Sequence, residues 1–166
     1  TSTVYDSKGG RIEYYGRSVK DSNGKGYGKI SLARGFELSS NTVLVQSVYD
    51  SYKNNPKQFV DRINSYGLNK PLGLPIKGEG KPVIPQPGTN RWSGVALPWM
   101  AFGYGLSVTP LQTLTLYNAV ANDGVMVKPI FVSEIKEWNK TIKKYNTEVI
   151  NPKICSQETL DKVQAV

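Results

Sequence analysis

Histidine is absent from this 166-residue chain, and that absence excludes more chemistry than any other feature of its composition. Neither a Ser-His-Asp nor a Cys-His triad can be assembled from these residues, nor a zinc site that uses imidazole. Cysteine is almost absent as well. Cys155 stands alone, which excludes an internal disulfide and a thiolate metal cluster. No run of about 18 apolar residues occurs, so no segment is suited to cross a membrane as a helix. The chain starts at Thr1 without a signal peptide, and any targeting or anchoring segment is expected upstream of it. Acidic residues are in deficit, 13 against 21 basic ones, for a net charge of +8. The basic residues are scattered from Lys8 to Lys162 with no dense block, so no nucleic-acid partner is expected. A solvated basic surface, or mild attraction to an anionic polymer, accounts for the charge. Carboxylate chemistry, Ser-Lys chemistry or no catalysis remain. A hydrophobic content of 39% and this length suit one domain with its own core.

What is present divides the chain into readable segments. Residues 1–35 are rich in glycine, with brief strands expected at Arg11–Tyr15 and Gly28–Ser31 and a turn at Asp21–Gly24. A helix is predicted from about Ser40, with Val43, Leu44, Val48 and Tyr52 near one face and Ser39, Ser40 and Asn41 all good capping residues. Asn55-Pro56 starts a second helix with the stripe Phe59, Ile63 and Tyr66, stopped by Gly67. Six prolines within residues 68–98 (Pro71, Pro75, Pro82, Pro85, Pro87 and Pro98) predict a long irregular stretch, pinned by Trp92 and Trp99. Thr109-Pro110 opens the clearest helix, with Leu111, Leu114, Tyr117, Val120 and Ala121 as its expected apolar face and Asn122-Asp123-Gly124 as its end. Val125–Trp138 reads as a strand, turning at Asn139-Lys140 into a partner over Thr141–Tyr145. Ser156 caps a last helix with Glu158 in its first turn and an apolar side of Leu160, Val163 and Val166.

Several short motifs fail on spacing. Gly103-Tyr104-Gly105 is not followed by the third glycine of a dinucleotide fingerprint, and Gly78–Lys81 lacks the spacing of a phosphate loop. Asn139-Lys140-Thr141 is a glycosylation sequon in form and a turn by context. Ser39-Ser40-Asn41, taken by itself, is a helix cap.

Its neighbours give it another reading. Asp21, Gly28-Lys29-Ile30-Ser31 and Phe36-Glu37-Leu38-Ser39-Ser40-Asn41 occur in an order that resembles penicillin-binding transpeptidases. Asn64–Leu68 fits the step that follows in that family. Ala101–Gln112 resembles its G-x-G-x-x-V-T-P-x-Q element, and Tyr117–Gly124 with Lys128-Pro129 resembles its A-x-A-N-x-G…P continuation. The resemblance covers most of residues 20–130 in the right order, and its overall pattern is that of the class B, monofunctional members.

The resemblance implies the α/β penicillin-recognising fold shared by D,D-transpeptidases and serine β-lactamases, with this chain as a mainly helical part carrying a small antiparallel hairpin. It implies a serine acyl-transferase built on S-x-x-K, S-x-N and K-T-G. The S-x-x-K serine would attack a D-Ala-D-Ala amide and form an acyl-enzyme, with the lysine as base. Ser39 would be the S-x-N hydroxyl, relaying a proton toward the leaving amine. Asn41 would hold the substrate amide through a carboxamide that both donates and accepts. Ser40 would cap the helix. No cofactor and no metal is implied. The implied partners are peptidoglycan stem peptides, β-lactam antibiotics and other cell-wall synthesis proteins, on the extracytoplasmic (periplasmic) face of a membrane-anchored protein serving cell shape or division.

Neither S-x-x-K nor K-T-G occurs in the chain. Residues 1–166 are therefore expected to be a partial transpeptidase domain, with the nucleophile upstream and the K-T-G strand downstream, inactive by itself. Apolar surface is then expected to be exposed at Leu160, Val163 and Val166, with dimerisation through it as one outcome. A β-lactam-sensing or β-lactamase-type relative is the enzymatic alternative. The run of more than 120 residues after Asn41 without K-T-G counts against it. A non-catalytic binding or scaffolding module of the cell-wall machinery is the other alternative.

Overall fold

Short strands and capped helices, punctuated by residues at positive φ, make up the computed structural model, which describes residues 3–166. The chain forms two compact units. One comprises the chain to Ile63, the segment Val83–Ser107 and the terminal Val166. The other comprises Asn64–Pro82 and Val108–Ala165.

The first unit begins with strand β1 (Val4–Asp6) and a single 3-10 turn, Lys8–Gly10. Strands β2 (Arg11–Tyr14) and β3 (Arg17–Lys20) follow as a hairpin. Its two turn residues, Tyr15 and Gly16, both have positive φ, as the tightest hairpin turns require. Strand β4 (Lys29–Ser31) returns to pair antiparallel with β1. Ser31 then caps α1 (Leu32–Glu37), a helix absent from the sequence reading, by accepting from the Arg34 N–H. Helix α2 (Asn41–Tyr52) is capped by Ser40, and α3 (Pro56–Ser65) has Pro56 at its first position, both as expected.

Val43, Val45 and Val60 are fully buried and form the core of this unit with Val19, Leu97 and Met100. The Tyr14 ring lies 4.6 Å from that of Tyr49 and ties the hairpin to α2. Burial pushes the Tyr14 phenol up to about 12, so it packs as a neutral ring. Within the proline-rich stretch lies α4 (Ala96–Met100), which packs on α2. Pro98 does not prevent it. Its missing N–H falls in the first turn, where no intrahelical acceptor exists.

In the second unit, α5 (Pro110–Ala121) starts with a complete capping box. Thr109 accepts from the Gln112 N–H at 3.1 Å, and the Gln112 side chain accepts from the Thr109 N–H at 2.8 Å. Thr109→Ala is expected to cost about 1 kcal/mol, read as a lower denaturant midpoint at unchanged slope. The buried face of α5 differs from the expected one. Gln112, Thr115 and Ala119 are inside, whereas Leu114 and Tyr117 are exposed. Gln112 Nε2 donates to the carbonyls of Leu68 and Lys70. An irregular segment cannot pair its own carbonyls, so a buried amide on the helix takes that role.

The expected strand over Val125–Trp138 is two strands, β5 (Met126–Val127) and β6 (Glu134–Glu137). Pro129, lacking an N–H, interrupts the pairing between them. Strand β6 pairs with β7 (Lys140–Lys144) around Trp138 and Asn139, which both have positive φ. Strand β5 pairs with β8 (Val149–Asn151), which was not anticipated. Helix α6 (Gln157–Gln164) carries the expected Ser156 cap and first-turn Glu158. Its Leu160 is a correction to the exposed apolar surface foreseen for this region. Leu160 is buried because α6 docks on α5, and Gly124 lies close beneath it. Val163 and Val166 are exposed, as expected, and so are Ile130, Phe131, Val132 and Trp138. Helices with small antiparallel sheets are thus the architecture, and the described residues hold four two-stranded sheets where one small antiparallel hairpin was expected.

Candidate functional site

The geometry around Ser39-Ser40-Asn41 starts from the end of β3. Lys20 closes that strand, and Asp21 follows it into the interior at 4% exposure. The Asp21 N–H donates to the Gly10 carbonyl at 2.9 Å, and its carbonyl accepts from the Gly24 N–H at 3.1 Å. Gly10 and Gly26 sit backbone against backbone, each at positive φ, and a Cβ on either would overlap the other residue. The buried Ser7 hydroxyl accepts from the Tyr27 N–H at 2.7 Å. These contacts make a fixed loop of the glycine-rich segment and hold Asp21 from below.

Above it, α1 turns into α2 through three residues. Gly35 lets the two helices meet, because a Cβ there would overlap the fully buried Val43 side chain. Ser39 takes positive φ, at 52°. Its N–H donates to the Phe36 carbonyl, and the Ser40 N–H donates to the Gly35 carbonyl. Ser40 is then extended, which is the conformation of an N-cap.

The three motif residues point to different environments. Ser39 is exposed, and its hydroxyl has no hydrogen-bond partner among the described residues. Ser40 is fully buried, and its Oγ accepts from the Val43 N–H at 3.3 Å and donates to the Asp21 carboxylate at 3.2 Å. Asn41 is half-buried, and its Nδ2 donates to the Lys20 carbonyl at 2.8 Å. Thr42 follows, fully buried. Its N–H and its hydroxyl each donate to one oxygen of Asp21, both at 2.9 Å. An exposed hydroxyl and a held carboxamide thus flank one buried cap at the N-terminus of a three-turn helix. There the helix field favours developing negative charge.

Sequence reasoning placed Ser39, Ser40 and Asn41 together but passed over Thr42, and it read Asp21 only as a turn former and a motif position. The available signal was a polar residue two positions after the cap, where a core position of the helix was due. The second motif block lies partly in the same unit. Gly103 and Gly105 have positive φ, the Ser107 and Val83 backbones pair, and Tyr104 is 62% exposed beside the Phe102 ring. This is scaffold geometry around one exposed ring.

Comparison with known proteins agrees with the fold. The chain covers 98% of itself on penicillin-binding protein 2X from Streptococcus thermophilus, with a TM-score of 0.80 at 24% identity and 23% of that chain covered. It covers 93% of itself on penicillin-binding protein 3 from Mycobacterium tuberculosis complexed with aztreonam, with a TM-score of 0.72 at 27% identity and 33% of that chain covered. The fold is therefore the α/β penicillin-recognising one. The penicillin binding protein transpeptidase domain family matches residues 1–166, and the chain belongs to that family. Among curated relatives, penicillin-binding protein PbpB of Mycobacterium tuberculosis is 32% identical over 120 residues, 72% of this chain. Peptidoglycan D,D-transpeptidase FtsI of Escherichia coli is 34% identical over 76 residues, 46% of this chain. The chain spans 17% and 12% of the lengths of those two relatives.

Proposed function

We propose that this chain serves in a class B, monofunctional peptidoglycan D,D-transpeptidase that cross-links stem peptides through a serine acyl-enzyme and is acylated by β-lactams. Ser39 and Asn41 are its S-x-N residues in this reading. The S-x-x-K nucleophile and base, and the K-T-G strand, are supplied by chain outside these 166 residues. The observation that carries the proposal is the division of labour at the start of α2. Ser40 is buried as a cap, while Ser39 offers an exposed hydroxyl and Asn41 a carboxamide held against the Lys20 carbonyl. A motif that only capped a helix needs the first of these and neither of the others.

Mechanistically, the acyl-enzyme forms when the serine oxygen attacks the D-Ala-D-Ala carbonyl and the terminal D-Ala amine departs with a proton. Ser39 lies in this reading on the path of that proton. The Asn41 carboxamide orients the substrate amide, and α2 fixes both residues relative to each other. The site faces the extracytoplasmic side, with an anchoring helix elsewhere in the protein, and the net charge of +8 suits an anionic wall polymer.

Fluorescent penicillin tests the assignment. The longer protein is expected to carry a covalent label that survives denaturing electrophoresis, and the 166-residue chain none. Label on the short chain would mean that a nucleophile lies within it. No label on the longer protein would favour a non-catalytic wall-binding module. Label that turns over rapidly would favour a β-lactamase-type relative.

A further inference from the structure

Two consecutive residues of one strand end hold three consecutive residues of the motif helix. Lys20 takes Asn41 through its carbonyl, and Asp21 takes Ser40 and Thr42 through its carboxylate. Asp21 is not needed to cap α2 in the usual way, because Ser40 already accepts from the Val43 N–H. Its carboxylate does two other things. It accepts the Thr42 N–H, a first-turn donor without an intrahelical acceptor, and it fixes the rotamers of Ser40 and Thr42 by accepting from both hydroxyls. Hydrogen bonds to a carboxylate are stronger and more directional than those between neutral groups. The Asp21 backbone is held in place, its N–H by the Gly10 carbonyl and its own carbonyl by the Gly24 N–H of the turn that follows.

We propose that Asp21 is a positioning residue for the transpeptidase site: through Ser40 and Thr42 it fixes the first turn of α2, and so the placement of Ser39 and Asn41 on either side of the buried cap. The proposal rests on the reading that Ser39 and Asn41 serve acylation. Catalytic geometry tolerates little. A misplacement of about 1 Å reduces rates by roughly 100-fold. Asp21→Asn removes the charge: with its Oδ1 kept against the Thr42 N–H, its Nδ2 faces the Ser40 and Thr42 hydroxyls, which turn from donating to accepting, so the charge-assisted bonds that fix both rotamers are lost. Asp21 touches no substrate and acts only by what it holds.

The test measures β-lactam acylation of the full-length protein at a temperature where each variant is folded by circular dichroism. Asp21→Asn is expected to lower the second-order acylation rate constant by about 10- to 100-fold. Thr42→Val, which keeps shape and N–H but removes one donor to Asp21, is expected to lower it by about 3- to 10-fold, and Thr42→Ser to restore it to within about twofold. Because Asp21 acts through the motif, adding Asp21→Asn to Asn41→Ala is expected to slow the reaction by no more than about threefold further. A purely structural role would lower the melting temperature without this saturation.

Folded Asp21→Asn acylating at the wild-type rate overturns the proposal. If Asp21→Asn does not fold, Thr42→Val decides, and a wild-type rate for it overturns the proposal equally. Asn41→Ala acylating at the wild-type rate sinks the motif assignment itself. A slow Asn41→Ala beside wild-type Asp21→Asn and Thr42→Val leaves that assignment standing and removes Asp21 alone.

Discussion

Asn41→Ala in the full-length protein is expected to slow acylation by β-lactam by at least about 100-fold while leaving the fold in place. The two halves of this expectation have different origins. Removing one pre-organised hydrogen-bonding group at the reacting centre typically reduces rate by about 100- to 1,000-fold. The structural loss is one hydrogen bond, from Asn41 Nδ2 to the Lys20 carbonyl, at a half-buried position, and amounts to about 1 kcal/mol. Ser40→Ala should show the opposite balance. It removes the α2 cap and a buried partner of Asp21, costing about 1–2 kcal/mol, with a smaller slowing of acylation. Stopped-flow acylation and thermal melts on both variants separate the two cases. Equal, mild effects on rate would mean that the motif is only a cap.

The largest stability effect is expected from Gly35→Ala. A methyl group at this position would overlap Val43, which is fully buried and cannot rotate away into solvent. Gly35 is not at positive φ, so the difficulty is space and not backbone conformation. Overpacking of this kind costs about 2–3 kcal/mol. It should lower the melting temperature by several degrees, at about 2–4 °C per kcal/mol for a domain of this size. The remedy identifies the cause. Gly35→Ala combined with Val43→Ala is expected to be more stable than the sum of the two single losses, because each opens the space the other needs. The Gly35 carbonyl also accepts from the Ser40 N–H, so pushing α1 away from α2 disturbs the motif as well. Reduced acylation should therefore accompany the loss of stability. Additive losses would place the strain elsewhere.

Where the sequence was legible, local chemistry settled the structure. Ser40, Thr109 and Ser156 announce three helix starts, and each accepts the expected backbone N–H. Gly67 and Gly124 have the positive φ that stops a helix. Long-range choices were less legible. Nothing in Leu111–Ala121 tells a reader that Gln112 and Thr115 go inside and Leu114 and Tyr117 outside. That depends on carbonyls more than 40 residues away that need a donor. Helix α1 was missed because six residues are too few to show a period, and β8 because its partner is only two residues long. The candidate site was half legible. Ser39 and Asn41 stand out by their type, whereas the contacts of Asp21 depend on a fold that brings residue 21 under residues 40 and 42.

The positive φ of Ser39 sets chemistry against conformation at one residue. That backbone region favours glycine by roughly 1 kcal/mol over a residue with a side chain. The residue best suited to the turn is therefore the one that would delete the exposed hydroxyl. Selection for stability alone would favour glycine at position 39, and a demand for the hydroxyl would oppose it. In the reading proposed above, position 39 is a place where a change that strengthens the protein would silence it, and a library sorted first for thermal stability and then for penicillin labelling is expected to give opposite answers there.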